Sequence, residues 1–259
     1  MAVLIVGALV LVALPFAANG LSADPAKTVV LSADDAKSRV TEFVNRSDWT
    51  TDLSVTGPTN GAFMRYYDVI GKSVIASVNA HDGSVTSLLL GEGRSFGVKA
   101  TTTQADATAT AERFLAERNI DVEGLDQTAN LSEQGDTSSW AITWQGHAGV
   151  MLVPKSFEVD VDAASGLVFG FAAVNHAYVR PDDPKITQEA AENAAIEVSG
   201  LPDIESVQLQ ITVSEDGTQQ LTYEVRLTGS VEGQPTSMRQ FADVHVDAMT
   251  GEAKVVGVG

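Results

Sequence analysis

The chain has 259 residues, 44% of them apolar, which is enough for one large hydrophobic core or for two to three small ones. It carries 34 acidic and 16 basic side chains, and the formal net charge of -18 disfavours DNA, RNA or an anionic membrane surface as a partner. The sequence contains no cysteine, so disulfides and thiolate chemistry are excluded, while the redox compartment stays open.

An apolar segment begins the chain. Residues 2–18 carry no charged side chain, and residues 2–14 are continuously apolar up to Pro15. This length is typical of a secretory signal peptide and is short of the roughly 20 residues that a membrane span needs. We therefore predict a signal peptide over residues 1–23, with an uncleaved membrane anchor as the alternative, because no basic residue precedes Lys27. Both interpretations predict an extracytoplasmic protein, either secreted or anchored by its N-terminal helix.

A hairpin-like sequence occurs three times after this segment. Residues 161–166 (VDAASG) and 246–251 (VDAMTG) are near copies, and residues 78–83 (VNAHDG) are a looser copy. In each copy a strand ends in an Asx or Ser/Thr turn with glycine, and another apolar strand follows. The repetition predicts three small units of similar fold.

The first predicted unit covers residues 30–93. Ser32 has the form of a helix N-cap with Asp35 completing a capping box, and the helix is predicted to run through Val44. Gly57 and Pro58 are predicted to end the first strand. The predicted strands are residues 52–56, 62–70, 73–78 and 85–90, with turns at residues 60–61 and 81–83 and a linker from residue 91.

The second predicted unit covers residues 100–176. Thr103 is the predicted N-cap of a helix from residue 104 to about residue 119. The apolar face of this helix consists of Ala107, Ala111, Phe114 and Leu115, at a spacing typical of a packed amphipathic helix. The predicted strands are residues 126–132, 139–145, 149–163 and 167–174, with Pro154 as a point where the third would break and Gly146 in a turn.

The third predicted unit covers residues 185–259 and follows a linker at residues 178–184. Thr187 is the predicted N-cap of a helix over residues 188–198, which Gly200 and Pro202 are expected to end. The predicted strands are residues 207–214, 221–228, 239–246 and 253–258, with a turn at residues 215–218 and a loop at residues 230–237. The first two of these alternate apolar with polar side chains, which predicts one buried and one wet face.

The predicted fold class is α+β: tandem repeats of one helix packed on a four-stranded antiparallel sheet, behind the N-terminal apolar helix. Trp140, Ile142 and Trp144 share one side of a strand in the second unit. We predict that they belong to the core against the helix at residues 104–119. A packed interface between units, or an exposed aromatic binding strip, is the alternative.

The third unit resembles a PepSY domain through residues 223–225 (YEV) and 244–251 (VHVDAMTG). Residues 157–166 carry the resemblance in the second unit, and residues 67–69 with 78–83 carry it weakly in the first. The resemblance implies a helix followed by an antiparallel sheet. It also implies a non-catalytic role, since PepSY units occur in propeptides of thermolysin-like secreted metalloproteases, which they are thought to restrain, and in multi-repeat cell-surface proteins.

No signature of catalysis is present in the sequence. It contains no H-E-x-x-H, no G-x-S-x-G and no S-x-x-K, and the glycines at 91 and 93 do not form a phosphate loop. The four histidines, which are never spaced as a helical metal pair, are His81, His147, His176 and His245. We predict no catalytic residue, no cofactor-binding residue and no metal ligand.

The aspartates near the repeated turns allow a calcium hypothesis. Asp160 with Asp162, and Asp243 with Asp247, lie before a glycine turn, and Ser165 and Thr250 offer further oxygens. The EF-hand spacing is missing, and an aspartate that opens a hairpin usually accepts hydrogen bonds from its own turn. We therefore predict a turn role for these carboxylates. Asn45 and Asn130 begin glycosylation sequons, which matter only in a host that glycosylates exported proteins.

The sequence therefore predicts a non-enzymatic, exported or membrane-tethered protein that binds a protein or peptide partner. A secreted protease or an envelope protein is the expected partner, and restraint of a protease is the finer expectation from the resemblance. The alternative is a structural or scaffold protein of the cell envelope that inhibits nothing. An envelope hydrolase is disfavoured because no polar cluster is visible in the sequence.

Overall fold

A computed structural model describes residues 30–60, 64–91, 94–213, 218–229 and 240–258. The predicted N-terminal helix, the turn at residues 215–217 and the loop at residues 230–237 lie outside these residues. The described residues form three helices and twelve strands, an α+β arrangement with a large and mostly antiparallel sheet. Within them, no helix has both the length and the apolar character that crossing a membrane requires.

The three helices begin where the sequence predicts them. They are α1 (Ala33–Val44), α2 (Gln104–Ala116) and α3 (Gln188–Ser199). Their N-caps are Ser32, Thr103 and Thr187, whose side chains each accept a hydrogen bond from the backbone N–H three residues on. Helix α2 is shorter than predicted, because the N–H groups of Arg118 and Asn119 bond three residues back instead of four and the backbone of Asn119 is left-handed.

The twelve strands follow the helices in groups of four. The first group is β1 (Ser54–Asn60), β2 (Arg65–Ile70), β3 (Val74–Asn79) and β4 (Val85–Leu90). The second group is β5 (Asp126–Gln134), β6 (Thr137–Ala148), β7 (Met151–Asp162) and β8 (Val168–Asn175). The third group is β9 (Asp203–Val213), β10 (Gln219–Gly229), β11 (Gln240–Asp247) and β12 (Ala253–Val258).

Three predicted strand ends are wrong, because each of these positions lies inside a continuous strand. Strand β1 continues through Gly57 and Pro58, where a bulge shifts the register against β2 and Gly57 adopts a φ of 120°. Strand β7 is not broken at Pro154. Gly146 lies within β6 at a bulge, where the register against β7 shifts, and a Cβ there would meet Val153 at 2.7 Å. Chain direction therefore changes later, at the turn over residues 149–150.

The described chain divides into two compact regions. The N-terminal region contains the described residues of 30–181 and 210–220, and the C-terminal region contains those of 182–209 and 221–258. The unit boundaries predicted from the sequence remain predictions.

The sheet of the N-terminal region has eight strands rather than two sets of four. These strands pair in the order β1-β2-β3-β4-β8-β7-β6-β5, each pair antiparallel, and Gln210 near the end of β9 adds one parallel pairing with Leu152 of β7. The two groups of strands meet where β4 pairs with β8, with Leu88 opposite Phe171. The expectation of separate four-stranded sheets is therefore corrected here, because two exposed strand edges satisfy their backbone groups by pairing.

Helices α1 and α2 cover one face of this sheet and share one hydrophobic core with it. Phe43 of α1, Phe114 of α2 and Phe171 of β8 form a ring cluster, with centroid separations of 5.1 to 6.0 Å. Such separations are typical of favourable aromatic packing. The two helices are thereby joined through a single apolar layer.

The C-terminal region places α3 against β11 and β12. Val225, Val244 and Val246 are fully buried, whereas Arg226 on the alternate face of β10 is exposed and pairs with Asp243 at 2.7 Å. The predicted separation into a core face and a wet face therefore holds at Arg226 but not at Thr222, which is on the same face and is buried.

Candidate functional site

The repeated turn sequences hold the starts of the helices. Ala80, Ala163 and Ala248 are fully buried, and their carbonyls accept hydrogen bonds from Leu31, Thr102 and Ile186, each one residue before a helix N-cap. A donor on the second strand of each group completes the contact: Tyr67 to the Leu31 carbonyl, Trp140 to that of Thr102, and Tyr223 to that of Ile186. We call these three arrangements the helix ties. The structural role of the buried alanine in each helix tie is sufficient to explain why the turn sequence is repeated.

Of the four aspartates of the calcium hypothesis, Asp162 and Asp247 act within these turns. The predicted turn role is wrong for Asp160 and Asp243, which lie within β7 and β11, where Asp243 pairs with Arg226. Asp162 accepts hydrogen bonds from the backbone N–H groups of Ala164 and Ser165 and from both donors of Ser95. Asp247 likewise accepts from the N–H groups of Met249 and Thr250. Burial opposes ionisation of Asp162, but the hydrogen bonds from Ser95 and Ser165 outweigh it and lower its pKa. The turn role is thus sufficient for both carboxylates.

The histidines are spread over separate places. His81 lies in the β3–β4 turn, His147 in β6, His176 after β8 and His245 in β11. His147 is 3.4 Å from Asp126, and burial lowers the pKa of His245. Among the described residues, no three His, Asp or Glu side chains are grouped so that they could hold a metal ion.

The tryptophan-bearing strand belongs to the core, as predicted. Ile142 and Trp144 are buried, and Trp140 is partly buried against the same core, beneath α2. The alternative of an exposed aromatic strip is therefore wrong.

Polar side chains also line a cleft between the C-terminal ends of α1 and α2. The cleft has a volume of about 510 Å³ and a floor of Phe157 and Phe171. Arg118 donates to the Phe114 carbonyl at 2.8 Å, and its guanidinium lies 3.6 Å from the centroid of the Phe114 ring. Burial lowers the pKa of Arg118. These contacts terminate α2 and cover the aromatic cluster, so the arginine has a structural role here.

The two edges of the eight-stranded sheet differ in their chemistry. Strand β1 carries Pro58, which has no N–H to donate, and a bulge interrupts its pairing with β2. Strand β5 has no proline and pairs with β6 over all nine residues without a register shift. In the part of the chain that the structure describes, β5 pairs with no other strand. The β5 edge, from Asp126 to Gln134, is therefore the candidate binding site.

The side chains of β5 alternate between two environments. Ala129 pairs with Ile142 and Leu131 pairs with Trp140, so both lie on the side of the sheet that the helices cover. Leu131 is 44% exposed despite this position, because no further strand covers it. Thr128 and Asn130 lie on the opposite side and are exposed. The edge thus offers main-chain groups together with one polar row and one row that is apolar at Ala129 and Leu131.

Comparison with known proteins identifies no family. No family model matches the chain, and no curated protein matches it. Among solved structures it is similar to the C-terminal domain of Bacillus megaterium YpeB, with 18% sequence identity over 88% of this chain and 99% of that one and a TM-score of 0.43. At this TM-score the similarity carries no argument about fold or function.

The sequence predicts a strand at residues 126–132 but contains no signal that this strand is an edge. Its alternation of Ala129 and Leu131 with Thr128 and Asn130 is equally compatible with a central position. The absence of proline from β5 and the presence of Pro58 in β1 are the signals that would have favoured one edge over the other.

Proposed function

We propose that this chain is a non-catalytic, exported or membrane-tethered protein that binds a protein or peptide partner by main-chain hydrogen bonding along β5. The observation that carries the proposal is the nine-residue, regularly paired and proline-free edge of that strand. An extended segment that adds to such an edge gains main-chain hydrogen bonds along its length, and the flanking side chains select it.

Three tandem PepSY-like units are the architecture that we propose for residues 30–259. The order of one helix and four strands occurs three times, and the three helix ties use corresponding residues of the repeated motif. The resemblance then suggests restraint of a secreted protease as the specific activity. Addition of a protease segment to the β5 edge is a mechanism for such restraint, because it needs no catalytic group on this chain.

A pair of proline variants tests the mode of binding. In an antiparallel ladder, successive residues direct their N–H and C=O groups alternately toward and away from the neighbouring strand. Of Thr128→Pro and Ala129→Pro, one therefore loses a hydrogen bond to β6 and the other loses only an outward donor. We expect one variant to keep most of the native stability by urea unfolding, and this folded variant then serves as the probe.

Binding is measured with peptides selected from a random display library on the immobilised full chain. We expect the folded proline variant to lose at least tenfold in affinity for the selected peptides. Undiminished binding by that variant, or the absence of any selected peptide, would contradict addition at β5.

A protease assay separates restraint from scaffolding. The full chain is titrated into a secreted thermolysin-like metalloprotease cleaving a short fluorogenic substrate. Restraint predicts dose-dependent inhibition that the folded proline variant lacks. The scaffold alternative predicts peptide binding without inhibition.

A further inference from the structure

The surroundings of β5 also indicate which segment it accepts, an inference that rests on the proposed addition to this strand. The helix-covered row next to the edge is apolar in its middle, between Gln127 and Glu133. Ala129 packs against the hydrophobic core, and Leu131 leaves 44% of its surface in water. Directly opposed side chains on paired strands lie about 5 Å apart, so every second side chain of an added strand would contact this row. An apolar side chain there would cover Leu131.

The opposite row faces acidic surroundings. Thr128 of β5 pairs with Thr143 of β6, which pairs with Glu158 of β7. Likewise, Asn130 pairs with Ala141, which pairs with Asp160. These two carboxylates thus lie two strands behind the polar row, at about 10 Å for a strand spacing of about 5 Å.

Further carboxylates stand at the two ends of β5 itself. Asp126 lies at its beginning on the side of Thr128, with 77% of its side chain exposed, whereas the exposed Glu133 lies near its end on the side of Leu131. Arg94, which stabilises the ionised form of Asp160, is a basic group acting on this face. The formal charge of the whole chain, at -18, adds a long-range attraction for cations.

We propose that the segment added to β5 alternates apolar with basic side chains, the apolar ones packing beside Ala129 and Leu131 and the basic ones facing the acidic side of the sheet. Alternation is required because successive side chains of a strand point to opposite faces. The charge complementarity raises the rate at which the segment and this chain associate. The apolar row determines the register of the segment, and therefore which of its side chains face the helix-covered side.

Three labelled nine-residue peptides with blocked ends test this inference. The first alternates valine and lysine, the second alternates valine and glutamate, and the third has the composition of the first in the order KKVVKKVVK. Fluorescence anisotropy measures their affinity for the full chain at low and high salt. We expect the first peptide to bind at least tenfold more tightly than either of the others, with an affinity that falls as salt increases.

A matched pair of leucine variants tests the apolar row. Leu131→Ser should weaken the alternating basic peptide at least fivefold, whereas Leu167→Ser, at a leucine that is 57% exposed in the β7–β8 turn, should not change it. Equal binding of the first and third peptides would overturn the alternation. Equal binding of the first and second would overturn the preference for basic side chains.

The outcomes also separate this inference from the proposed function. If the proposed alternation of apolar and basic side chains is wrong but addition to β5 is right, all three peptides bind the wild type with equal affinity. The folded proline variant then still binds all three more weakly than the wild type does. If addition to β5 is wrong, the proline variant binds every peptide as the wild type does. If none of the three peptides binds at millimolar concentration, the proposed alternation of apolar and basic side chains is overturned. Addition to β5 is then tested by the peptides from the display library.

Discussion

Asp160 lies on the sheet face opposite the helices, across from Gly170 on β8. A Cβ at position 170 would meet the Asp160 Cβ at 2.9 Å, so the glycine provides the space in which this carboxyl lies. Burial raises the pKa of Asp160 to about 6, and the nearby Glu158 carboxylate acts in the same direction, while Arg94 opposes them. The ionised form is therefore costly in the folded state.

The variant Asp160→Asn should be more stable than the wild type at neutral pH. Because the folded pKa is above the unfolded value of 3.8, the penalty from Asp160 is absent below about pH 4, grows as the pH rises to about 6 and is complete above that. A shift of this size corresponds to at most about 3 kcal/mol. Urea unfolding of both proteins from pH 4 to pH 7 measures the difference. A difference that does not change with pH would contradict the assignment, and Glu133→Gln at an exposed position is the control.

Asp162 illustrates the opposite situation on the same strand. The carboxylate is 2% exposed and accepts hydrogen bonds from the Ser95 N–H at 2.8 Å and the Ser165 N–H at 2.7 Å, so its loss would remove several partly buried hydrogen bonds. We expect Asp162→Ala to lower the free energy of unfolding by about 3 kcal/mol. Asp82→Ala is the matched control in the exposed β3–β4 turn, where the carboxylate accepts from Ser84, and it should cost less than about 1 kcal/mol. Equal losses of unfolding free energy for the two variants would contradict the greater role assigned to the buried carboxylate.

At the scale of elements, the helix ties connect each helix to the group of four strands that follows it. The hydroxyl of Tyr67 donates to the Leu31 carbonyl at 2.6 Å, immediately before the N-cap Ser32. Tyr223 makes the corresponding bond to Ile186 at 3.3 Å. These bonds determine where the helix starts relative to the strands, a placement that the capping residues alone do not fix.

The variant Tyr67→Phe should therefore loosen the start of α1 while the ring stays buried. We expect a loss of about 1 kcal/mol in stability, since one partly buried hydrogen bond is removed. Amide exchange should become faster in the first turn of α1 than elsewhere in that helix. Tyr66→Phe, at a neighbouring half-buried tyrosine, is the control and should leave exchange in α1 unchanged. Uniform acceleration over the whole N-terminal region would show that the tie has no local effect.

At the scale of the whole molecule, the N-terminal region has one core below two helices. Phe171 belongs to β8, yet its ring contacts Phe43 of α1 and Phe114 of α2. The pairing of β4 with β8 brings the three rings to one place. The two predicted units within residues 30–176 are thus expected to share their stability.

Truncation of the shared ring tests this coupling. We expect Phe171→Ala to cost about 3 to 5 kcal/mol, as is usual for the loss of a buried aromatic ring, and to reduce the exchange protection of α1 and α2 by equal amounts. Val174→Ala on the same strand is the control, because Val174 is 41% exposed and its loss should cost little. A loss of protection in α2 with α1 unaffected would indicate that the two units unfold separately.

The sequence by itself determined the parts of the fold that depend on neighbours in the chain. Ser32, Thr103 and Thr187 begin helices, because an N-cap bonds an amide three residues away, and Asp162 and Asp247 close their turns over similar distances. The alternation of polar and apolar residues likewise predicted which side of β10 is buried. These signals act within a few residues and need no knowledge of the rest of the molecule.

Only the tertiary structure decided which strands meet and which remain edges. The pairing of Leu88 with Phe171, the bulge at Gly146 and the passage of β1 through Pro58 depend on backbone groups that come together from distant parts of the chain. Many pairings satisfy the same alternation of side chains, because hydrogen bonding between strands is almost independent of sequence. The open edge at β5, and with it the candidate site, therefore follows from the assembled sheet and from no local pattern.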